Sequence, residues 1–280
     1  PHTGERSSMN YNRVQGANNR IVLGLIGCGG MGAANMRNLM GKQGVEVAAL
    51  CDVDTNRMTG DIRDVEKKYG RKPELFKDYR KMLEDKDIDV VIVGTPDHWH
   101  CLNMVDAVSA GKHVYVEKPI ANTIEECQIM VKAQERYGKI VQVGQWQRSG
   151  SQYDQAIQYV KSGKLGQIRL VKCWAYQGWM KPVPVVANGP VPTGVDYNMW
   201  LGPAPKRTFN ANRFHYNFRW YWDYAGGLMT DWGVHMVDYA LLGMRAAEPI
   251  SIMASGGKMA YPDDVAARKG LTATRTQAHL

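Results

Sequence analysis

Residues 21–32 read Ile-Val-Leu-Gly-Leu-Ile-Gly-Cys-Gly-Gly-Met-Gly, a short apolar run that ends in a Gly-x-Gly-x-x-Gly pattern. This spacing predicts a strand, a tight turn and a helix start, the arrangement that holds a dinucleotide pyrophosphate. The first glycine permits the turn, the second lets the phosphates approach the backbone, and the third lets helix and strand pack closely. The candidate cofactor-binding residues here are Gly27, Cys28, Gly29, Gly30, Met31 and Gly32.

A second apolar segment, residues 45–51, predicts the next strand, and Asp52 ends it about 20 residues after the last glycine. A carboxylate at this position can accept hydrogen bonds from both ribose hydroxyls of the adenosine half of a dinucleotide. It would repel a 2′-phosphate, which favours NAD, whereas the nearby Arg57 keeps NADP as an alternative. The chain is therefore predicted to bind NAD or NADP.

Strands and helices alternate through the N-terminal half of the chain. Strands are predicted at residues 21–27, 45–51, 89–93, 113–116 and 140–143, with helices near residues 31–40, 55–69, 79–84, 102–110 and 124–137. Uninterrupted apolar strands separated by helices indicate a parallel sheet that is covered on both faces. We predict an irregular arm over residues 1–20, followed by a doubly wound α/β domain of the Rossmann type over residues 21–145.

The composition changes after residue 145, because seven of the eight tryptophans lie between Trp146 and Trp232. The patterns predict strands at residues 168–176 and 250–255, a Pro/Gly-rich loop at 178–199 and a helix at 228–242, which together suggest a smaller α+β domain over residues 146–280. Aromatic rings can stack on sugars in a binding cleft, but a single tryptophan more often fills a core. Both uses stay open.

Composition excludes several classes of protein. The chain has 280 residues, of which 44% are hydrophobic and 22% charged, which is typical of a globular protein of one or two domains. The net charge of +8 comes from scattered Lys and Arg, so a general preference for anions is favoured over nucleic-acid binding. The five cysteines are widely spaced and predict neither a disulfide framework nor a zinc site. No stretch reaches the roughly 20 apolar residues that span a bilayer.

Polar residues follow the strand predicted at 89–93. Thr95 and Pro96 would lie beyond its carboxyl end, where a doubly wound sheet binds the nicotinamide half of a dinucleotide. The next residues include His98 and His100, a His-x-His pair that would serve as metal ligands, as packing at a helix start or as a cofactor contact. Because a metal would need further ligands, no metal is predicted, and His98 is a candidate cofactor-binding residue.

Glu117, Lys118 and Pro119 close the strand predicted at 113–116, again at the carboxyl edge of the sheet. A lysine in this place can point into the cleft, where burial and the positive charge of an oxidised nicotinamide would lower its pKa. It could then donate a proton or a hydrogen bond to a substrate hydroxyl. The alternative is a solvated lysine paired with Glu117.

Asp231 and His235 stand four residues apart in a predicted helix, which places both side chains on one face. A carboxylate beside an imidazole orients the ring and raises its basicity, as a general base near neutral pH requires. A surface ion pair or a metal pair would use the same spacing. Neither explains why Trp232 and apolar residues flank this face.

Taken together, these motifs resemble the Gfo/Idh/MocA oxidoreductase family, named for glucose-fructose oxidoreductase and inositol dehydrogenase. The matching segments are residues 27–32, 51–54, 94–96, 117–119, 143–148 and 227–238. The resemblance implies an N-terminal Rossmann domain and a C-terminal α/β domain whose open, largely antiparallel sheet often serves oligomerisation. It also implies hydride transfer between NAD(P) and a sugar, polyol or sugar derivative.

The resemblance further implies roles for individual residues. Lys118 would orient the substrate and assist proton transfer, and His235 would act as acid/base with Asp231 nearby. Trp146 and Arg148 would line the nicotinamide and substrate cleft. Glu117 and Lys118 would contact the cofactor. The expected partners are a small carbohydrate and further copies of the chain in a dimer or tetramer, with neither nucleic acid nor a membrane.

The two ends of the chain raise separate questions. Residues 11–20 resemble the arm of exported family members that lose a twin-arginine signal, so periplasmic and cytoplasmic locations both stay open. Family members usually continue with strands that complete the second sheet, whereas residues 265–280 are polar and show little strand alternation. The sequence therefore predicts a short sheet with an exposed edge, in a truncated or frameshifted chain or in one part of a larger working protein.

Three functions are compatible with these features. The first is an NAD(P)-dependent oxidoreductase of a carbohydrate secondary alcohol, in which His235 or Lys118 removes the hydroxyl proton. The second is a glycoside-cleaving or epimerising enzyme that uses tightly bound NAD transiently and forms no net NADH. The third is a non-catalytic nucleotide-binding protein, whose cofactor binding would survive replacement of both residues.

Overall fold

The computed structural model describes residues 20–176, 183, 185–246 and 248–255. Its six-stranded sheet has the order β3-β2-β1-β4-β5-β6, and every neighbouring pair is parallel. The strands are β1 Ile21–Ile26, β2 Val45–Cys51, β3 Glu74–Phe76, β4 Val90–Val93, β5 His113–Val116 and β6 Val141–Val143. The predicted doubly wound sheet is confirmed. Strand β3 was not predicted, because this edge strand has three residues and no apolar run.

Five helices accompany the strands of this sheet. They are α1 Gly30–Met40, α2 Thr55–Tyr69, α3 Tyr79–Leu83, α4 Asp97–Ser109 and α5 Ile124–Tyr137. Four of them match the predicted helices closely, but α4 begins several residues before the predicted start. Its first turn contains His98 and His100, which periodicity counts as polar although both are buried. His98 Nε2 lies 3.0 Å from one backbone carbonyl, and the two ring nitrogens of His100 lie 2.7 and 2.8 Å from two others, which holds both imidazoles inside the protein.

Helices cover the sheet on both faces, so its central strands are buried. Leu25, Val47 and Ile92 are fully buried and pack in one cluster with residues of α1 and α2. On the other face, Val91 and Val93 pack with residues of α4 and α5. This burial explains why the central strands read as continuous apolar runs, and it holds their carboxyl ends at one edge.

The remaining described residues are mainly helices, turns and extended chain. The helices are α6 Ser151–Lys161, α7 Tyr197–Leu201 and α8 Val234–Met244, with 3₁₀ turns at Trp146–Ser149, Ala211–Arg213 and His215–Trp220 and a π-helical turn at Met229–Gly233. The patterns did not predict α6, and the helix predicted at residues 228–242 divides into the π turn and α8. No helix in the described ranges is both long and apolar enough to cross a bilayer.

The strands predicted at residues 168–176 and 250–255 are a wrong prediction for the described structure. Both segments are described, and neither is a strand. Their apolar side chains, such as Leu170 and Ile252, are exposed. A strand needs a neighbour to receive its backbone hydrogen bonds, and neither segment pairs with another described strand. The open antiparallel sheet is therefore not seen in these residues.

Part of the predicted loop at residues 178–199 packs against the first domain, while 178–182 and 184 lie outside the described residues. Val195 forms an antiparallel bridge with Asp54, and the Asp196 N–H donates to the Val53 carbonyl at 2.8 Å. The Thr55 N–H donates to the Gly194 carbonyl at 3.1 Å. This loop is thus attached at the start of α2.

Seven aromatic residues after α6 form a buried cluster: Tyr197, Trp200, Phe209, Phe214, Trp220, Tyr221 and Tyr224. The cluster is joined to α4, because the Trp200 carbonyl accepts from Trp99 Nε1 at 2.9 Å and lies 3.0 Å from His98 Nε2. Core packing is therefore the role of Trp200 and Trp220. Trp146, Trp174, Trp222 and Trp232 are exposed.

Trp200→Ala is expected to lower the free energy of unfolding by about 3–5 kcal/mol, because it empties the centre of this cluster. The Trp200 side chain is 3% exposed, and its ring lies 4.9 Å from Tyr224 and 5.1 Å from Phe214. Urea unfolding would measure the loss. Trp174→Ala, at a position 69% exposed, is the matched control and should change stability by less than about 0.5 kcal/mol. Equal losses would contradict the assignment of Trp200 to the core.

Candidate functional site

A cleft of about 330 Å³ lies at the carboxyl edge of the sheet. The glycine turn, the ends of β2, β4 and β5, and the segment His215–Trp220 all contribute to its lining. The predicted site residues that line it are Gly27, Gly29, Gly30, Met31, Asp52, Thr95, Pro96, Glu117, Lys118 and Asp231. Folding has therefore brought together residues from both halves of the chain.

The glycine turn at residues 27–32, called the glycine cradle below, is close-packed on the side of the sheet and open on the side of the cleft. Gly27 has a φ of +89°, and a Cβ added at Gly32 would collide with the Gly27 carbonyl oxygen. By contrast, a Cβ at Gly29 or Gly30 would meet no atom within 4 Å. Gly29 is the N-cap of α1, and no side chain caps this helix. The helix start can thus receive a pyrophosphate, as the spacing predicts.

Asp52 lines this cleft directly beyond the carboxyl end of β2. Its Oδ2 accepts from the Cys28 N–H and its Oδ1 from the Asp54 N–H, both at 2.8 Å. Each carboxylate oxygen keeps a second lone pair for a ribose hydroxyl. Burial raises the pKa of Asp52 to about 6, against the effect of these two hydrogen bonds. Arg57 also lines the cleft.

Two of the predicted cofactor residues, Cys28 and Gly32, do not line the cleft and instead pack against the neighbouring backbone. Gly32 packs against Gly27 on the side of α1 that faces the sheet. The Cys28 side chain is buried, with Sγ 3.8 Å from the Cys51 carbonyl, and burial raises the pKa of its thiol. Cys28 therefore contributes through its backbone N–H, which positions Asp52.

Lys118 and Asp231 form the central pair of the cleft. Lys118 Nζ donates to the Asp231 backbone carbonyl at 2.8 Å and to Asp231 Oδ1 at 2.9 Å. Both side chains are largely buried. Glu117 is not the partner of the Lys118 ammonium, because its Oε1 accepts from Asn35 Nδ2 at 2.7 Å. Burial raises the pKa of Glu117. The alternative of a solvated Lys118–Glu117 pair is therefore wrong. Lys118 instead forms a largely buried ion pair with Asp231, which joins the N-terminal and C-terminal halves of the chain.

The predicted hydrogen-bonded pair of Asp231 and His235 is not present in the described structure. The π-helical turn at Met229–Gly233 widens the helix at this point, and Asp231 faces Lys118 and Arg219 instead. His235 packs edge-on against Trp146 at 6.3 Å, and its Nδ1 is buried without a hydrogen-bond partner among the described residues. Burial, followed by the nearby positive charge of Lys118, lowers the pKa of His235.

Trp146, Arg148 and His235 lie beside the cleft, since none of them belongs to its described lining. Arg148 makes a bidentate ion pair with Asp238 of α8, with distances of 2.7 Å from Nε and 2.5 Å from the terminal nitrogen. This pair connects the turn after β6 with α8. The contact of Trp146 with His235 strengthens the same connection.

The His-x-His pair packs the start of α4. His98 Nε2 lies 3.0 Å from the Trp200 carbonyl, outside the cleft lining, and burial lowers the pKa of His98 to about 4. His100 lies between the carbonyls of Pro119 and Thr95, at 2.7 and 2.8 Å. In the described part of the chain, no group of three or more metal-binding side chains could hold a metal ion. His98 was predicted to contact the cofactor, but in the structure it packs against the Trp200 carbonyl and does not line the cleft.

Sequence patterns did not identify several residues of the cleft. His215 lies 2.8 Å from Asp54 Oδ2 through its Nε2 and has a φ of +48°, which is uncommon for a side chain of this size. Arg219 lies over the rings of Tyr216 and Phe218, with its Nε 3.4 Å from Asp231 Oδ2. Both residues belong to the aromatic segment His215–Trp220, whose spacing matches no known motif. Their position in the cleft is therefore visible only in the folded structure.

Two family models match this chain. An oxidoreductase family with an NAD-binding Rossmann fold (GFO_IDH_MocA) matches residues 21–145, and the C-terminal alpha/beta domain of an oxidoreductase family (GFO_IDH_MocA_C2) matches residues 171–277. The two matches agree with the glycine cradle and with the position of the cleft between the two halves of the chain.

Individual proteins are similar over about half of the chain. An inositol 2-dehydrogenase from Salmonella paratyphi B is 34% identical over 153 residues, which are 54% of this chain and 44% of the relative. A glycosyl hydrolase family 109 protein from a Shewanella species is 31% identical over 152 residues, which are 53% and 33%. The structure of an oxidoreductase domain protein from Kribbella flavida has a TM-score of 0.57 and 25% identity, and the match covers 81% of this chain and 54% of that one. The chain thus matches less than half the length of these two curated relatives.

Proposed function

This chain belongs to the Gfo/Idh/MocA oxidoreductase family and has its NAD-binding Rossmann fold; on that premise we propose that it transfers hydride between NAD and a secondary alcohol of a sugar, polyol or sugar derivative. The observation that carries the proposal is the buried Lys118–Asp231 pair, which lies in the same cleft as the glycine cradle. A cation fixed beside a dinucleotide site is suited to bind an alcohol oxygen and to exchange its proton.

Gly29, Gly30 and Met31 would hold the pyrophosphate at the start of α1, Asp52 the adenosine ribose, and Thr95, Pro96 and Glu117 the nicotinamide half. When bound, NAD supplies the hydride acceptor. Lys118 would donate a hydrogen bond to the substrate oxygen or receive its proton. Asp231 would hold the ammonium group in place, since it already accepts from Nζ.

His235 is the second proposed proton-transfer residue, on the side of the cleft where Trp146 and Arg148 lie. Its lowered pKa leaves the imidazole neutral near pH 7, which is the form that can accept a proton. Trp146, about half exposed, would provide a ring face for a sugar. Arg148 would help to hold this side of the cleft in place, because its ion pair with Asp238 connects the turn after β6 to α8.

The purified chain is expected to bind NAD more tightly than NADP and to form NADH with an inositol or a related polyol. The preference for NAD follows from the Asp52 carboxylate, which is buried and would face the 2′ position. Fluorescence titration measures both affinities, and absorbance measures NADH formation over a panel of inositols, hexoses and their glycosides. Dinucleotide binding without turnover of any member of the panel would instead favour a non-catalytic nucleotide-binding protein.

A second candidate function is glycoside cleavage or epimerisation with transient use of bound NAD. The similarity to a glycosyl hydrolase family 109 protein favours it. The same residues would perform the first oxidation, but the hydride would return to the substrate before release. Product formation from a glycoside without net NADH would select this function over the first.

We also propose that residues 21–145 form the cofactor domain and that residues 146–280 belong to a domain for substrate binding and oligomerisation. The match of residues 171–277 to a C-terminal alpha/beta domain supports this division. The exposed apolar side chains at residues 168–176 and 250–255 are suited to burial in an open, largely antiparallel sheet. Such a sheet would assemble the chain into a dimer or tetramer.

A further inference from the structure

Asp97 is a buried carboxyl group that the proposed reaction does not yet use. It is the first residue of α4, directly beyond the end of β4, and it lines the cleft together with Thr95 and Pro96. Its side chain is 7% exposed. Among the described residues its carboxylate makes no ion pair, and its own backbone N–H donates to it. An ionised group buried in this way is costly unless a ligand compensates its charge.

The charged groups around Asp97 come from three other segments. Lys118 follows β5, Arg219 lies in the turn His215–Trp220, and Asp231 lies in the π-helical turn. On α4 itself, burial lowers the pKa of both His98 and His100. Burial raises the pKa of Asp97 to about 7, and the positive charge of Arg219 opposes this shift most strongly.

Asp231 cannot compensate a further cation as readily as Asp97 can. Its Oδ1 accepts from Lys118 at 2.9 Å, and its Oδ2 lies 3.4 Å from the Nε of Arg219. That guanidinium also lies over two rings, at 4.4 Å for Tyr216 and 4.9 Å for Phe218. Asp97 is therefore a carboxylate of the cleft that makes no ion pair with a described side chain, and it directly follows Thr95 and Pro96, where the nicotinamide is expected.

We propose that Asp97 is the charge partner of the nicotinamide: its carboxylate favours the oxidised, positively charged cofactor and takes up a proton when the neutral, reduced form is bound. The inference deepens the proposed function and rests on it. Oxidation of the alcohol breaks one C–H and one O–H bond, forms the carbonyl, passes a hydride to the nicotinamide and releases one proton. If Asp97 is the final acceptor of that proton, after Lys118 or His235 has removed it from the alcohol, the cleft loses one positive and one negative charge together, so its net charge stays constant.

The test is the ratio of NADH to NAD dissociation constants, measured by titration of wild type and Asp97→Asn between pH 6 and pH 8. Asp97 is mainly protonated at the lower pH and ionised at the higher one, so the wild-type ratio should shift about tenfold in favour of NAD as the pH rises. In Asp97→Asn the ratio should change less than about twofold. Asp52, whose pKa is about 6, would contact the adenosine part that both cofactor forms share, so its titration should cancel in the ratio.

Two further variants make the result decisive. Asp97→Glu keeps the charge and should retain a pH-dependent ratio, whereas Asp64→Asn removes a surface carboxylate of α2 and should behave as wild type. The proposal is overturned if Asp97→Asn keeps the wild-type pH dependence, or if it weakens both cofactor forms equally at every pH. Failure of the wild type to bind either dinucleotide would contradict the proposed function itself.

Discussion

Lys118→Met is expected to lower kcat/KM by about 10³-fold or more, while the affinity for NAD changes less than about threefold. The variant keeps an unbranched side chain one atom shorter but removes the ammonium group that donates twice to Asp231. The substrate oxygen then loses its hydrogen-bond and proton partner, whereas the glycine cradle and Asp52 remain intact. Initial rates with the substrate found in the polyol panel, together with NAD titration, measure both quantities.

Lys42→Met is the control for this experiment, because Lys42 is an exposed lysine just after α1. It should leave both the rate and the affinity unchanged. Circular dichroism would verify that Lys118→Met folds, since its loss leaves the Asp231 carboxylate with Arg219 as its remaining partner. Turnover within about tenfold of wild type would show that Lys118 is not the proton-transfer group and would move that role to His235.

Gly32→Val is expected to abolish dinucleotide binding, with a loss in affinity of at least about 100-fold, and to lower stability by about 2–4 kcal/mol. A Cβ at this position would overlap the Gly27 carbonyl oxygen, and Gly94 packs against the same backbone. The helix start must therefore move away from the sheet, which displaces the N–H groups that receive the pyrophosphate. NAD titration and urea unfolding measure the two effects.

Substitutions at two other glycines distinguish an effect on NAD binding from an effect on stability in the same assays. Gly30→Ala places its Cβ in open space within the cleft, so it should fold like wild type but bind NAD about tenfold more weakly. Gly60→Ala, inside α2 with no atom within 4 Å of the added Cβ, should bind normally and gain up to about 1 kcal/mol of stability. Normal NAD binding by Gly32→Val would refute the role assigned to this cradle.

Local sequence was sufficient wherever burial imposes a simple pattern. The central strands are apolar throughout because helices cover both faces, and Val45–Cys51 and His113–Val116 were therefore predicted with the observed bounds. The helix Thr55–Tyr69 was equally clear, with Asp54 at its N-cap and Gly70 in the left-handed conformation after it. Short or irregular elements were not predictable in this way, as the three-residue edge strand β3 and the π-helical turn show.

Predictions failed where a local pattern depends on distant partners. The first turn of α4 reads as polar, yet His98 is buried because the Trp200 carbonyl, far along the chain, lies within hydrogen-bond distance. Residues 168–176 have strand propensity, but no described strand lies beside them. Propensity describes one segment at a time, whereas hydrogen-bond satisfaction depends on what folds next to it.

The sequence by itself determined the glycine turn, the parallel sheet and the residues at its carboxyl edge, because backbone sterics and burial act over a few neighbouring positions. Only the tertiary structure decided which side chains meet in the cleft. Lys118 and Asp231 are 113 positions apart, and His215 and Asp54 are 161 apart. Asp97 likewise gains part of its charge environment from Arg219 and Asp231 of the C-terminal half. Such contacts produce no periodic pattern in the sequence, because long-range packing constrains where residues lie in space and not how they are spaced along the chain.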